Sequence, residues 1–221
     1  MTDPDADWQR AGAVHDTWSA RRTDRAFMLH AAATFITLVV MVSCLARFLA
    51  FVEMRPGIRL PDPVLAGFSP VDVSWVTFGL IYLGIILGLV TLSQSPRRLL
   101  LTMQAYSVMV AARIGMMFVM PLDPPEPTIA LVDPIVGHVV GHGATLMKDL
   151  FFSGHTSTLF LLALTAVSRK MRTVFLICTV LVGVCVLIQH THYTVDVLVA
   201  PFVAYVSYRV IVLLHRRFNL R

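Results

Sequence analysis

Apolar residues fall in six runs: approximately Met28 to Val52, Val73 to Leu92, Leu99 to Met120, Thr156 to Val167, Thr173 to Ile188 and Val195 to Leu214. The runs are continuous rather than striped, so a helix made from one is apolar on every side and suits a lipid surroundings better than a watery one. Most approach the ~20 residues that a helix needs to cross a ~30 Å hydrocarbon layer. Backbone groups in lipid must be satisfied within the segment. Runs of this length therefore fit helices, not the ~10-residue alternating strands of a membrane barrel. The expected fold class is all-α, a polytopic membrane protein with six transmembrane helices. The fourth run is short unless Phe151 onward or Ser168 extends it.

The segments between the runs give a reason to keep that fourth span. Arg10, Arg21, Arg22 and Arg25 precede the first run, and Arg97 and Arg98 join the second to the third. Arg169, Lys170 and Arg172 join the fourth to the fifth, and Arg216, Arg217 and Arg221 follow the sixth. Cationic loops stay on the cytoplasmic side. The connection from Pro121 to Ser153 carries Asp123, Glu126, Asp133 and Asp149 against a single cation, Lys148, and Gln189 to Tyr193 carries none. Both belong outside under this alternation. The expected organisation is a cytoplasmic N-terminal segment (1–27), one six-helix membrane catalytic domain (28–214) and a cytoplasmic tail (215–221). The first span serves as the insertion signal in a plasma or inner membrane, with the opposite face periplasmic, extracellular or lumenal. Prolines at 121, 124, 125 and 127 end the third span. The glycines at 137, 141, 143 and 154 give the rest of that outer loop the freedom to fold back over a site at the membrane surface.

Composition agrees with lipid burial: 57% of the 221 residues are hydrophobic, only 14% are charged, and mean hydropathy is +0.74. The net charge of +5 sits at helix ends rather than in a stripe with interleaved aromatics, which argues against a nucleic-acid partner. Cys44, Cys178 and Cys185 lie inside apolar runs and read as small packing residues.

Five of the eight histidines, His138, His142, His155, His190 and His192, fall on or near the outer face under this topology. Two patterns place a histidine where a helix begins: Phe152-Ser153-Gly154-His155-Thr156-Ser157 and His190-Thr191-His192-Tyr193-Thr194-Val195-Asp196. Residues four apart share a helix face, so the Asp196 carboxylate can accept a hydrogen bond from one nitrogen of His192 and leave the other to attack phosphorus. His155 is then the general acid and base. Ser153 and Gly154 let backbone N–H groups at the start of the fourth span approach a phosphate. Arg113, inside an apolar run, would cost ~2.5 to 3.5 kcal/mol at the bilayer centre and must face protein, water or the interface, by snorkelling or by binding phosphate. Asp149 either orients His155 or caps the helix. Lys148 is a further candidate for the phosphate. Lone histidines at helix ends, here His138, His142 and His190, are more often satisfied interfacial residues than ligands. A metal site at His138 and His142 lacks a convincing third ligand.

In their order and spacing these segments resemble the type 2 phosphatidic acid phosphatase (PAP2) superfamily, and within it the sphingomyelin synthase-like branch. Leu60-Pro61-Asp62 is similar to that branch's motif after span one, and Arg113 with Pro121 to the motif closing span three. Asp149-Leu150-Phe151-Phe152-Ser153-Gly154-His155-Thr156 and the His190 to Asp196 segment are the more specific matches. The resemblance implies a six-helix fold, His192 as nucleophile, Asp196 as its partner and His155 as the acid-base group, with Arg113, Lys148, Asp149, Ser153, Gly154 and Tyr193 around the substrate. The phosphatase branch has a Lys-to-Arg-Pro motif before the serine-glycine-histidine and an arginine six residues before the last histidine. Neither is present here, Val186 standing at the second position.

The expected activity is transfer of a phospho-headgroup from a glycerophospholipid, through phosphohistidine, to ceramide, a similar lipid alcohol or water, without metal or other cofactor. A lipid phosphate or isoprenyl diphosphate phosphatase is the neighbouring reading. A non-enzymatic transporter or lipid-binding protein, with polar residues lining a path, and a bis-histidine haem protein are readings of other classes.

Overall fold

The computed structural model describes residues 17–131 and 147–217. Its helices are α1 (Trp18–Arg21), α2 (Arg25–Glu53), α3 (Ser74–Leu92), α4 (Pro96–Val119), α5 (Gly154–Thr165), α6 (Arg169–Ile188) and α7 (Thr194–Arg217), with one 3-10 turn, Leu65–Gly67. Among the described residues there is no strand, only an isolated parallel bridge between Ile58 and Leu122. Local chemistry sets the helix starts. Asp24 accepts hydrogen bonds from the amides of Ala26 and Phe27, Pro96 occupies the first turn of α4, and Ser168 accepts from the Met171 amide.

Among the described residues, five helices, α2, α3, α4, α6 and α7, are long and apolar enough to cross a membrane. The expected fourth span differs: α5 has 12 residues, about 18 Å of helix against a ~30 Å hydrocarbon layer. Its limits are local. Ser153 caps the start, and Ala166 leaves the helix with ψ 138° just before Ser168 caps α6. A short helix is tolerable here because α5 packs against α3, α4, α6 and α7 and buries most of its side chains. Its backbone ends meet protein groups instead of lipid, as where Arg98 Nη1 donates to the Ala166 carbonyl at 2.6 Å.

Close approach fixes α5 within the bundle. On α3, Gly84 and Gly88 form a small-xxx-small face on which Leu159 and Leu162 of α5 rest, and added Cβ atoms would run into those leucines. On α6, Gly183 faces Val197 of α7 and Thr156 of α5, so three helices meet just beneath the two histidine segments. One core cluster joins α4, α5 and α7 through Met109, Leu161, Ala200 and Ala204, and a second joins α3, α5 and α6 through Phe78, Leu159, Phe175 and Val182. Helix α2 packs mainly on α4 and is the least embedded, with 6% of its most apolar stretch buried.

The cationic segments gather at one end of this bundle. Trp18 Nε1 donates to the Ser93 carbonyl at 2.6 Å and Arg98 reaches Ala166, tying the start of the chain to the α3–α4 and α5–α6 connections. Asp62, Asp123, Asp149, His155 and His192 gather at the other end.

Candidate active site

The turn into α7 carries His192 and Asp196, and helix geometry brings them together as the four-residue spacing requires. His192 Nδ1 and Asp196 Oδ2 are 3.3 Å apart, and both side chains are buried. The same Oδ2 accepts from the Tyr193 amide at 3.2 Å, so Asp196 is also the third-position half of a capping box. Asp196 Oδ1 is buried with no hydrogen-bond partner among the described residues. With Nδ1 donating to the carboxylate, Nε2 is the imidazole nitrogen left for chemistry.

The turn into α5 carries the second histidine and is bonded to the first. The Ser153 amide donates to the Asp196 carbonyl at 3.2 Å, which locks the opening turns of α5 and α7 together. The Ser153 hydroxyl receives the Thr156 amide at 3.4 Å and pairs with the Thr156 hydroxyl at 3.0 Å, so Ser153 caps the helix in which His155 is the second residue. Before it, Phe151 has φ 91°, a region costly for a bulky side chain, and is held there between the buried Leu150 and Phe152. The His155 ring meets Phe78 edge-to-face at 5.9 Å.

Arg113 supplies the cation. Its Nε and Nη2 both reach Asp149 Oδ1, at 2.9 and 2.6 Å, and the guanidinium lies over the Phe152 ring at 5.4 Å. It sits six residues before the end of α4, roughly 9 Å below that end at 1.5 Å per residue, which sinks the site into the bundle. Gly154 leaves room for this packing, since a Cβ there would displace the guanidinium. Arg113, Asp149, Gly154 and His155 line one cavity of about 290 Å³, whose remaining wall is largely apolar: Leu45 of α2, Phe78, Ile81 and Ile85 of α3, and the two tyrosine rings of Tyr82 and Tyr106. His192 is not among the residues lining that cavity; the turn that bears it is tied to the turn of His155 by the backbone hydrogen bond from Ser153 to Asp196.

Other residues expected near substrate are engaged elsewhere. Lys148 Nζ reaches Asp123 Oδ1 at 2.8 Å and donates to the Arg55 carbonyl at 2.5 Å, and its amide and that of Met147 donate to Glu53 Oε2 at 3.1 Å. That hydrogen bond from Lys148 holds the Asp123 carboxyl below its ordinary value. The lysine thus bridges loops and is not among the residues lining the cavity. Tyr193 is buried, and its hydroxyl donates to the Asp123 carbonyl at 2.8 Å while accepting from the Leu60 amide at 3.2 Å. Burial pushes its phenol pKa up. His190 is buried with Nδ1 2.8 Å from the Pro127 carbonyl, packed on Phe68 at 4.9 Å, a structural placement. His138 and His142, the metal reading attached to them, and the fold-back expected of that stretch of the outer loop lie outside the described residues.

Two contributors have roles that a reading of the sequence does not assign. Asp62 caps α7 from 132 residues away: Oδ2 accepts from the Thr194 amide at 2.6 Å and Oδ1 from the Thr194 hydroxyl at 3.0 Å, while Oδ1 also receives Val64 and Leu65. Burial would raise its carboxyl, but these hydrogen bonds outweigh it and hold the pKa below the ordinary value. Leu60-Pro61-Asp62 is therefore a clamp on the segment bearing His192. Gln189 is the second. It is buried, and its amide donates to Ser74 Oγ at 2.8 Å and accepts from the Val73 amide at 3.3 Å, anchoring the α6 end of the same turn to the start of α3. For Asp62 the signal was the Leu60-Pro61-Asp62 motif, which does not say what it touches; for Gln189 it was only a polar residue beside a motif.

No curated protein and no solved structure matches the chain. Residues 148–215, which hold both histidine turns and Asp196 but neither Arg113 nor Asp62, match the model of the family described as PAP2 superfamily C-terminal.

Proposed function

We propose that the chain is a PAP2-superfamily enzyme of the membrane, a phosphotransferase acting on lipids through a phosphohistidine at His192, and that its donor is a glycerophospholipid. The carrying observation is that the opening turns of α5 and α7 are bonded together beside a cavity that is cationic and acid-base-bearing on one wall and apolar on the other. A lipid presents those two chemistries in that order.

In the first half-reaction the lone pair on His192 Nε2 attacks phosphorus and the bond from phosphorus to the diacylglycerol oxygen breaks. His155 gives its proton to that oxygen. Asp196 holds the Nδ1 proton and stabilises the charge growing on the ring. In the second half-reaction His155 takes a proton from the acceptor hydroxyl, whose oxygen attacks phosphorus and releases His192. The acceptor is ceramide, another lipid alcohol or water. Arg113 and the opening turn of α5 face the phosphate oxygens, where donors fixed in a site screened from water stabilise charge best. Val186, at the position where the phosphatase branch has an arginine, leaves Arg113 as the cavity's cation and favours a phosphodiester over a doubly charged phosphate monoester.

The test incubates purified protein and His192→Ala with labelled phosphatidylcholine, phosphatidylethanolamine and phosphatidic acid, with and without ceramide, in chelator. Diacylglycerol together with a phospho-headgroup product from an intact phospholipid, falling to background in His192→Ala, is the expected result. Inorganic phosphate from phosphatidic acid alone would assign the neighbouring phosphatase activity. No turnover of any lipid, or equal turnover by the variant, would remove the enzyme reading in favour of a lipid-binding protein.

A further inference from the structure

The cavity beside His155 does not end at its apolar wall. A second cavity of about 130 Å³ shares Ile85, Tyr106 and Thr158 with it and continues along α4 to Leu99 and along α3 to Leu92. Its lining is apolar apart from the hydroxyls of Thr102, Tyr106 and Thr158, and those of Thr102 and Thr158 donate to helix carbonyls, of Arg98 and Gly154 respectively. The path runs from charge to hydrocarbon: Arg113, Asp149 and His155 at one end, Leu92, Leu99 and Met103 at the other.

We infer that these two cavities form one lipid channel in which the phosphate lies by His155 and Arg113 and one acyl chain runs down between α2, α3 and α4 toward Leu92 and Leu99, so that its floor selects chain length. This deepens the proposed activity and rests on it for the position of the phosphate. The dimensions suit the occupant. Arg113 and Leu99 are 14 residues apart on α4, about 21 Å, whereas half of a ~30 Å hydrocarbon layer, the reach of one leaflet's chains, is about 15 Å. A full chain therefore fits, even with the site sunk into the bundle.

The outer wall is α2, the least embedded of the five membrane-length helices. Leu38 and Leu45, two turns apart on one face, contribute to the lower and upper cavities, and both are half-buried where the residues around them face lipid. Exchange of a chain between bilayer and channel gains nothing from the hydrophobic effect, because hydrocarbon surrounds it in both places. Selectivity is therefore steric, set by whether the chain fills the channel without being forced out past α2.

The experiment has two arms. In the first, full-length protein and Leu38→Trp are compared on glycerophospholipids with six-carbon and sixteen-carbon chains. The indole narrows the lower cavity, so the ratio of long-chain to short-chain turnover falls about tenfold, the effect of overpacking by ~1.4 kcal/mol. Val39→Trp, on the lipid-facing side of the same helix, leaves that ratio where it was. An unchanged ratio in Leu38→Trp with wild-type turnover intact would overturn the channel and leave the enzyme reading standing. The second arm needs no turnover. A phospholipid with a photoreactive group at the end of one acyl chain is expected to label Leu92, Leu99 and Met103, and excess unlabelled lipid to suppress it. Label only on Leu83, Ile86 and Val90, which face outward from α3, would mean ordinary bilayer contact and refute the proposal.

Discussion

At the residue scale, the site depends on a few side chains whose neighbours leave them one arrangement. Gly154 is the clearest. An alanine is ordinarily better than glycine in a helix by ~1 kcal/mol, yet here its methyl group would occupy space taken by the Arg113 guanidinium. That guanidinium is held by Asp149 and Phe152, so making room for the methyl group would shift it away from those partners. Gly154→Ala is expected to remain folded and lose 10- to 100-fold in activity, the equivalent of one charge-assisted hydrogen bond of about 1.5–3 kcal/mol. Thermal unfolding in detergent, measured beside turnover, checks this: a folded and fully active variant would show that Arg113 need not stay where it is.

At the scale of elements, α7 begins correctly only because another part of the chain reaches it. Asp62 accepts from both the backbone and the hydroxyl of Thr194, and Tyr193 ties the preceding residue to Leu60 and Asp123. Loss of a cap typically costs ~1 kcal/mol, so Asp62→Ala is expected to lower stability by about that much while reducing kcat more than KM, since it loosens the turn that aims His192. The sign of the pH effect follows from the lowered pKa of Asp62. Its contribution is fully present above the ordinary carboxylate value and is lost as pH falls through the lower folded-state value. Wild-type stability should therefore decline on acidification across that window, and the decline should be shallower in Asp62→Ala. Parallel slopes in the two proteins would mean that Asp62 does not carry the effect. The short α5 belongs to this scale too. Being packed against four helices, it can hold His155 within the bundle despite its 12-residue length.

At the scale of the whole molecule, the cationic loops and the candidate site lie at opposite ends of the bundle. A chain arranged in this way, inserted according to the positive-inside rule, has its site on the face away from the cytoplasm. Single cysteines placed at Glu126 and at Lys170, in protein lacking its three natural cysteines, should be labelled by a membrane-impermeant thiol reagent from opposite sides, Glu126 from outside in intact cells. Labelling of both from one side would contradict the arrangement.

Five of the six long apolar runs were enough to mark helices of membrane-crossing length, because uninterrupted hydrophobicity of that length has one stable outcome in lipid. The spacing of His192 and Asp196 was enough to pair them, because a helix turn is local. The fourth run already looks short along the chain; what it could not show was that neither Phe151 onward nor Ser168 extends α5, since Ser153 caps its start and Ala166 leaves the helix. Nor could the runs show which cation faces the cavity. Arg113 and Lys148 were equal candidates along the chain, and tertiary contacts sent one to the cavity wall beside Asp149 and the other to Asp123 and the Arg55 carbonyl. Leu60-Pro61-Asp62 was visible as a pattern, but its action on Thr194 spans 132 residues. Local spacing decides contacts within a turn; contacts between distant segments are decided by how the helices pack, and packing is a property of the whole chain.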